Sequence, residues 1–191
     1  MLNNIFRFSS TAVPTENKFN IHQPRAMFDI AMNVRNLVQE TVSTNRKIIV
    51  LCIGTDRSTG DCLGPLTGSK LHSLNLYPHV YGTLDDPVHA TNLSDMIRSI
   101  NDTFVNPFII AVDACLGKPE SVGCVSVGQG PVKPGAAVNK DLPAVGDAFI
   151  TGIVNVGGFM EHLVLQSTRL NLVMKMADTI AHGLSFGLRS H

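Results

Sequence analysis

Lys47–Pro65, KIIVLCIGTDRSTGDCLGP, is the stretch whose reading decides the fold. Ile48 to Ile53 is a nearly uninterrupted apolar run, the pattern of a short strand buried on both faces. Gly54 ends the run. Pro65 fits the first turn of a helix, where a missing N–H costs nothing, and Leu66 to Leu74 can continue it. Asp61 then falls on a strand-to-helix loop at the carboxyl edge of a parallel sheet, the edge where open α/β sheets place their ligands. A second unit ends alike: Phe108-Ile-Ile-Ala-Val112 reads as a buried strand closed by Asp113.

Outward from these two units, Pro24 to Glu40 carries a helical stripe of Met27, Ile30, Ala31, Val34, Leu37 and Val38. His79 to Leu84 suits a strand, stopped by Asp85-Asp86-Pro87, because the residue before proline is pushed out of the helical region. Asn92 is a candidate N-cap for a helix from Leu93 to Ile100. Gly123 to Val127 reads as a strand, antiparallel at an edge, and Phe149 to Val154 as another, ending at Asn155. Between them Gly128–Pro143, rich in glycine and proline, is expected to be an extended surface loop and the most mobile internal segment, a candidate lid or interface. After Gly157-Gly158 one long helix is expected to run to the end. Helices and strands in this order predict an α/β protein, a three-layer α/β/α sandwich with a mostly parallel sheet. Residues 1–22 are expected to form a flexible N-terminal arm and residues 23–191 a single α/β domain.

Composition excludes some functions. The 191 residues are 44% hydrophobic and 16% charged, so the chain can bury a core rather than stay disordered. Fifteen basic and fifteen acidic residues give zero net charge with no basic cluster, which leaves nucleic acid no electrostatic footprint. No apolar run approaches the ~20 residues that span a bilayer, and the N-terminus lacks the apolar core of a signal peptide. Cys52, Cys62, Cys115 and Cys124 form no CxxC pair, which suits reduced thiols in the cytoplasm.

Two carboxylates at matching strand ends can divide proton-transfer work, because a close pair cannot both ionise easily. Such a pair could activate water for amide hydrolysis, or hold a divalent metal with a third ligand. The alternatives are structural: Asp61 as a helix cap, Asp113 as an acceptor for backbone N–H groups. Gly54–Gly60 resembles a phosphate loop only superficially, since Asp61 stands where the lysine of GxxxxGK[ST] belongs. Arg57 could pair with a substrate carboxylate or with Asp61. No two histidines make HExxH. His89 could reach the sheet's carboxyl edge, His162 and His182 are read as ordinary helix-surface histidines, and no histidine is visibly placed to activate Cys62 or Cys115.

Asp61-Cys-Leu-Gly-Pro65, Val112-Asp-Ala114 and the loop Pro134-Gly-Ala-Ala-Val-Asn139 resemble, in this order, three motifs of the germination protease of spore-forming bacteria. A looser likeness extends to the hydrogenase maturation endopeptidases. Over nearly the whole chain the sequence is similar to the small sporulation protein family called YyaC, through Ser58–Pro65 and Val112–Cys115. The resemblance implies a phosphorylase/hydrolase-like fold, a cytoplasmic place in the mother cell or forespore, and a peptidase acting on a protein or peptide substrate. By position Asp61 and Asp113 match the catalytic acidic residues, with Arg57 and Asn155 as binding residues. The third metal-contacting position of the hydrogenase endopeptidases, a histidine, has no counterpart at Asn155-Val-Gly-Gly158, so no cofactor is expected and a metal at Asp61 and Asp113 is only the lesser reading. The acidic propeptide of the germination protease has no match, so autoprocessing is not expected. A homo-oligomer is compatible with the reading. The rival is a catalytically inactive binding or assembly protein of the spore that retains the protease-like fold.

Overall fold

The computed structural model describes residues 16–74, 79–134 and 142–189. In chain order these form β1 (Glu16–Asn20), α1 (Ala26–Thr44), β2 (Ile48–Cys52), α2 (Leu63–Leu74), β3 (Val80–Tyr81), α3 (Leu93–Thr103), β4 (Phe108–Gly117), β5 (Cys124–Gln129), β6 (Ala148–Val156), α4 (Glu161–Gln166) and α5 (Leu170–Gly187). The six strands make one sheet in the order β1-β5-β6-β4-β2-β3.

β2 is what its composition predicts: all five residues are buried, each contributing about 2 kcal/mol of transfer free energy. Its side chains alternate between two cores. Ile48, Val50 and Cys52 join α1, α2 and α5 on one face, through residues such as Ile30, Leu63 and Ile180. Ile49, Leu51 and Ile53 join Leu93 and Ile100 of α3 on the other. The fold is thus α/β with helices packed on both faces of the sheet.

The sheet is mixed, with three parallel and two antiparallel pairings. β2 pairs parallel with β3 and β4, and β4 parallel with β6, but β5 runs antiparallel to β6 and β1 antiparallel to β5. The connection from β4 to β5 holds only a short 3-10 turn at Pro119–Ser121, too little chain for the crossover that a parallel return requires. β5 does not lie at the edge, because Glu16–Asn20, within the expected N-terminal arm, forms the strand outside it. Residues 1–15, the start of the expected flexible arm, lie outside the described residues, as do residues 135–141 of the loop expected to be mobile.

Two boundaries differ in ways that shape the site. β4 does not stop at Val112 but runs to Gly117, because β6 extends beside it and pairs Asp113 with Thr151. The expected single C-terminal helix is two. At the break, Thr168 Oγ1 donates to the Val164 carbonyl at 2.9 Å and accepts from Asn155 Nδ2 at 3.2 Å. Pro65 sits in the third position of α2, still within the first turn, where backbone N–H groups have no intrahelical partner.

The loop from β2 to α2 closes at its neck. Gly54 has φ +143°, and a Cβ there would stand 2.0 Å from the Asp61 carbonyl oxygen. That oxygen accepts the Thr55 N–H at 3.2 Å. Gly54→Ala is therefore expected to cost about 3 kcal/mol or more, read as a lowered urea midpoint; a midpoint equal to wild type would show that the neck can open without penalty.

Candidate functional site

β2 ends opposite Val112 of β4, and the Ile53 N–H donates to the Val112 carbonyl at 2.7 Å. Past that point the β2 chain turns away at Gly54. Asp113 is left with Thr151 of β6 on one side and the loop carrying Asp61 on the other. The loop itself is docked on α4: the Gly60 N–H donates to the Leu165 carbonyl at 2.8 Å, and a Cβ at Gly60 would meet Leu165 Cδ2 at 2.8 Å.

Asp61, Arg57, Ser58, His89, Thr91 and His162 line a cleft of about 490 Å³. Asp113 is not among the lining residues; it is buried, 5% exposed, and accepts the Ala114 N–H at 2.8 Å. Burial pushes the Asp113 carboxyl well above the ordinary carboxylate range and the charge of Asp61 pushes it further, while the Ala114 N–H works in the opposite direction. The two aspartates, far apart in sequence, are therefore close enough to act on one another, with the inner one keeping a proton that an ordinary carboxylic acid would lose.

Asn155 does not line the cleft. Its Nδ2 donates to the Val164 carbonyl and to Thr168 Oγ1, each at 3.2 Å, and its Oδ1 accepts the Val156 N–H at 2.9 Å. These bonds hold the end of β6 against α4; Arg57, by contrast, is exposed at the cleft. His89 comes to the cleft because Asn92 does not cap α3 with its side chain. Asn92 Oδ1 instead accepts the His89 N–H at 2.8 Å and Nδ2 donates to the Pro87 carbonyl at 3.0 Å, folding that turn upon itself. His89 Nδ1 stands 2.9 Å from Thr91 Oγ1 and 3.4 Å from the Thr91 backbone nitrogen. His162 arrives from α4, a short helix that has no strong periodicity in sequence. Ser58 stands in the sequence only as part of the Ser58–Pro65 segment; the residue is 8% exposed and its Oγ has no hydrogen-bond partner among the described residues.

The thiols of Cys52, Cys62 and Cys115 are poor nucleophiles here. All four cysteines are free. Burial raises Cys62, with Asp61 and Asp56 adding to it; burial raises Cys115 to about 11 against a hydrogen bond from Thr151; burial alone raises Cys52 further still. A protonated thiol attacks slowly. Among the described residues no three or more His, Cys, Asp or Glu side chains are grouped so that they could hold a metal ion.

The fold and site define an α/β protein with a buried acidic group behind a second one that opens on a polar cleft. Over residues 18–183 the chain matches the family described as "Protein of unknown function (DUF1256)", and it belongs to that family. It is 62% identical over 144 residues, 75% of this chain and 70% of the other, to the uncharacterized protein YyaC of Bacillus subtilis (strain 168). Among the described residues no helix is long and apolar enough to cross a membrane.

A carboxyl raised on folding contributes stability that is fully present below its unfolded value, about 3.9, and is lost as pH climbs through the folded value. Asp113→Asn removes that loss. Its melting temperature relative to wild type is expected to be lowest near about pH 4 and to rise steadily toward about pH 8. A difference independent of pH would mean that Asp113 titrates as an ordinary surface carboxylate.

Proposed function

We propose that this protein is a sporulation-associated peptidase related to the germination protease, and that Asp61 and Asp113 carry out peptide-bond hydrolysis. The observation that carries the reading is the contrast within the pair: Asp61 opens on the cleft, while burial and the Asp61 charge push the Asp113 carboxyl well above the ordinary carboxylate range, which favours its protonated form. Asp61 takes a proton from a water molecule, whose oxygen adds to the peptide carbonyl carbon. Asp113 lends its proton to the carbonyl oxygen as negative charge develops there. When the C–N bond breaks, the proton held by Asp61 passes to the leaving nitrogen, the re-forming carbonyl gives its hydroxyl proton back to Asp113, and both carboxyls return to their starting states.

A polypeptide substrate suits the surroundings. Beside His162 on α4, Phe159 is 86% exposed and Met160 and Leu163 are also exposed, an apolar edge that a small polar metabolite would not use. Arg57 offers a cation for a substrate carboxylate. We take the architecture as a three-layer α/β/α sandwich of the phosphorylase/hydrolase type to which β5 and β1 add an antiparallel extension, and the cytoplasm of mother cell or forespore as its place, which the four free thiols suit.

A second reading has its own observation. Asp113 is screened from the cleft and already accepts the Ala114 N–H, as it would in a catalytically inactive binding or assembly protein that retains the fold. Cleavage of small spore proteins from a forespore extract separates the two. The peptidase reading expects wild type to cut them, and Asp61→Asn and Asp113→Asn each to slow cleavage by about 100-fold or more. Cleavage indifferent to both substitutions removes the aspartate mechanism. Wild type inert on these proteins but retaining a partner from the same extract favours the binding protein.

A further inference from the structure

We propose that the groove between α1 and the end of α5 is a docking site for an acidic amphipathic helix of another protein. It shares no lining residue with the cleft and stands independently of the peptidase reading. The groove holds about 300 Å³, with Met27, Phe28, Met32 and Phe186 as its apolar walls and Arg35 and Arg189 at its rim. It exists because α1 is apolar on two sides. Ile30, Val34 and Val38 are buried in the core, whereas Phe28 and Met32, four residues apart on another side of the helix, stay exposed together with Met27 near its start, Phe28 by 52%. α5 lies close against α1 at two glycines: a Cβ at Gly183 would be 2.6 Å from Ile30 Cγ2, and one at Gly187 2.8 Å from the Ala31 carbonyl oxygen. Phe186, between them in sequence, remains partly exposed along the seam.

Charge selects the occupant. No aspartate or glutamate lines the groove. Arg189 lies over the Phe186 ring at 4.3 Å; Arg25 lies over the Phe28 ring at 5.5 Å but also pairs with Asp29 at 3.9 Å, so Arg35 and Arg189 are the cations that flank the apolar walls. A second copy docking by two-fold symmetry would set Arg35 and Arg189 against their own kind, at a cost in like-charge repulsion. Residues 1–15 of the chain, MLNNIFRFSSTAVPT, contain no acidic side chain to answer them. A lipid surface is flat and leaves a concavity unfilled. A helix with apolar residues at i, i+3, i+4 and i+7 and carboxylates on its flanks satisfies both walls and rim. The flexible thioethers of Met27 and Met32 can mould to its side chains.

The test is fluorescence anisotropy with the full chain and a labelled peptide of about 15 residues, Leu and Phe at those spacings and Glu on the flanks, beside a twin carrying Lys in place of Glu. The Glu peptide is expected to bind saturably and the Lys peptide not. The exposed charge reversal Arg35→Glu with Arg189→Glu is expected to weaken the Glu peptide about tenfold and to admit the Lys peptide; Phe28→Ser is expected to weaken binding without lowering the melting temperature. Absence of binding, equal binding of both peptides, or indifference to the reversal overturns the proposal. So does either alternative occupant: a dimer in sedimentation, or flotation with phosphatidylglycerol vesicles, that Phe28→Ser abolishes.

Discussion

The contact on which the site depends is the meeting of Gly54 with the backbone of Asp61. Seven residues apart in sequence, they touch because position 54 has no Cβ and a positive φ that other residues adopt at a cost. The Thr55–Asp61 hydrogen bond ties the neck. This closure sends the chain back toward the sheet so that α2 can begin at once, with Leu63 buried beneath it. It also fixes the Asp61 backbone beside the carboxyl end of β2. A looser loop would carry the carboxylate out into water, where its charge would scarcely reach Asp113.

A carboxyl buried as deeply as Asp113 is held there at a cost, since its charged form is disfavoured in the interior. The chain lowers that cost in two ways: one backbone N–H is supplied by Ala114, and the proton is retained. Nothing in sheet formation requires an acid at a position that pairs Thr151 across the ladder. Proteins often accept strain of this kind where chemistry or binding needs it. The Ser58 hydroxyl, a few residues from Asp61 and without a hydrogen-bond partner among the described residues, is a second cost at the same place.

Several local readings gave way to partners that a linear reading does not see. Asp113 looks like a strand end because the apolar run stops at Val112, but β6 holds the strand for four residues more. Asn92 has the residue type of an N-cap, and the turn before it takes both ends of its amide instead. Asn155 appears free to bind a ligand and is used to brace α4. Glu16–Asn20 is polar and near the terminus, yet it forms an outer strand because β5 presents an edge to it. His162 and His89 carry no spacing signal at all; each reaches the cleft through a loop or a short helix whose course is set elsewhere.

What the amino-acid sequence determined alone was the set of buried elements: the runs 48–53 and 108–112, the apolar stripe of α1 and the glycine and proline that bound the loop of Asp61. These depend on hydrophobic periodicity and backbone sterics, which act locally and so can be read locally. The direction of β5, the place of β1, the break between α4 and α5 and the company of Asp113 were decided only in three dimensions. Each depends on hydrogen bonds and electric fields between segments distant in the chain, and such partners become neighbours only when the two faces of the sheet have been covered.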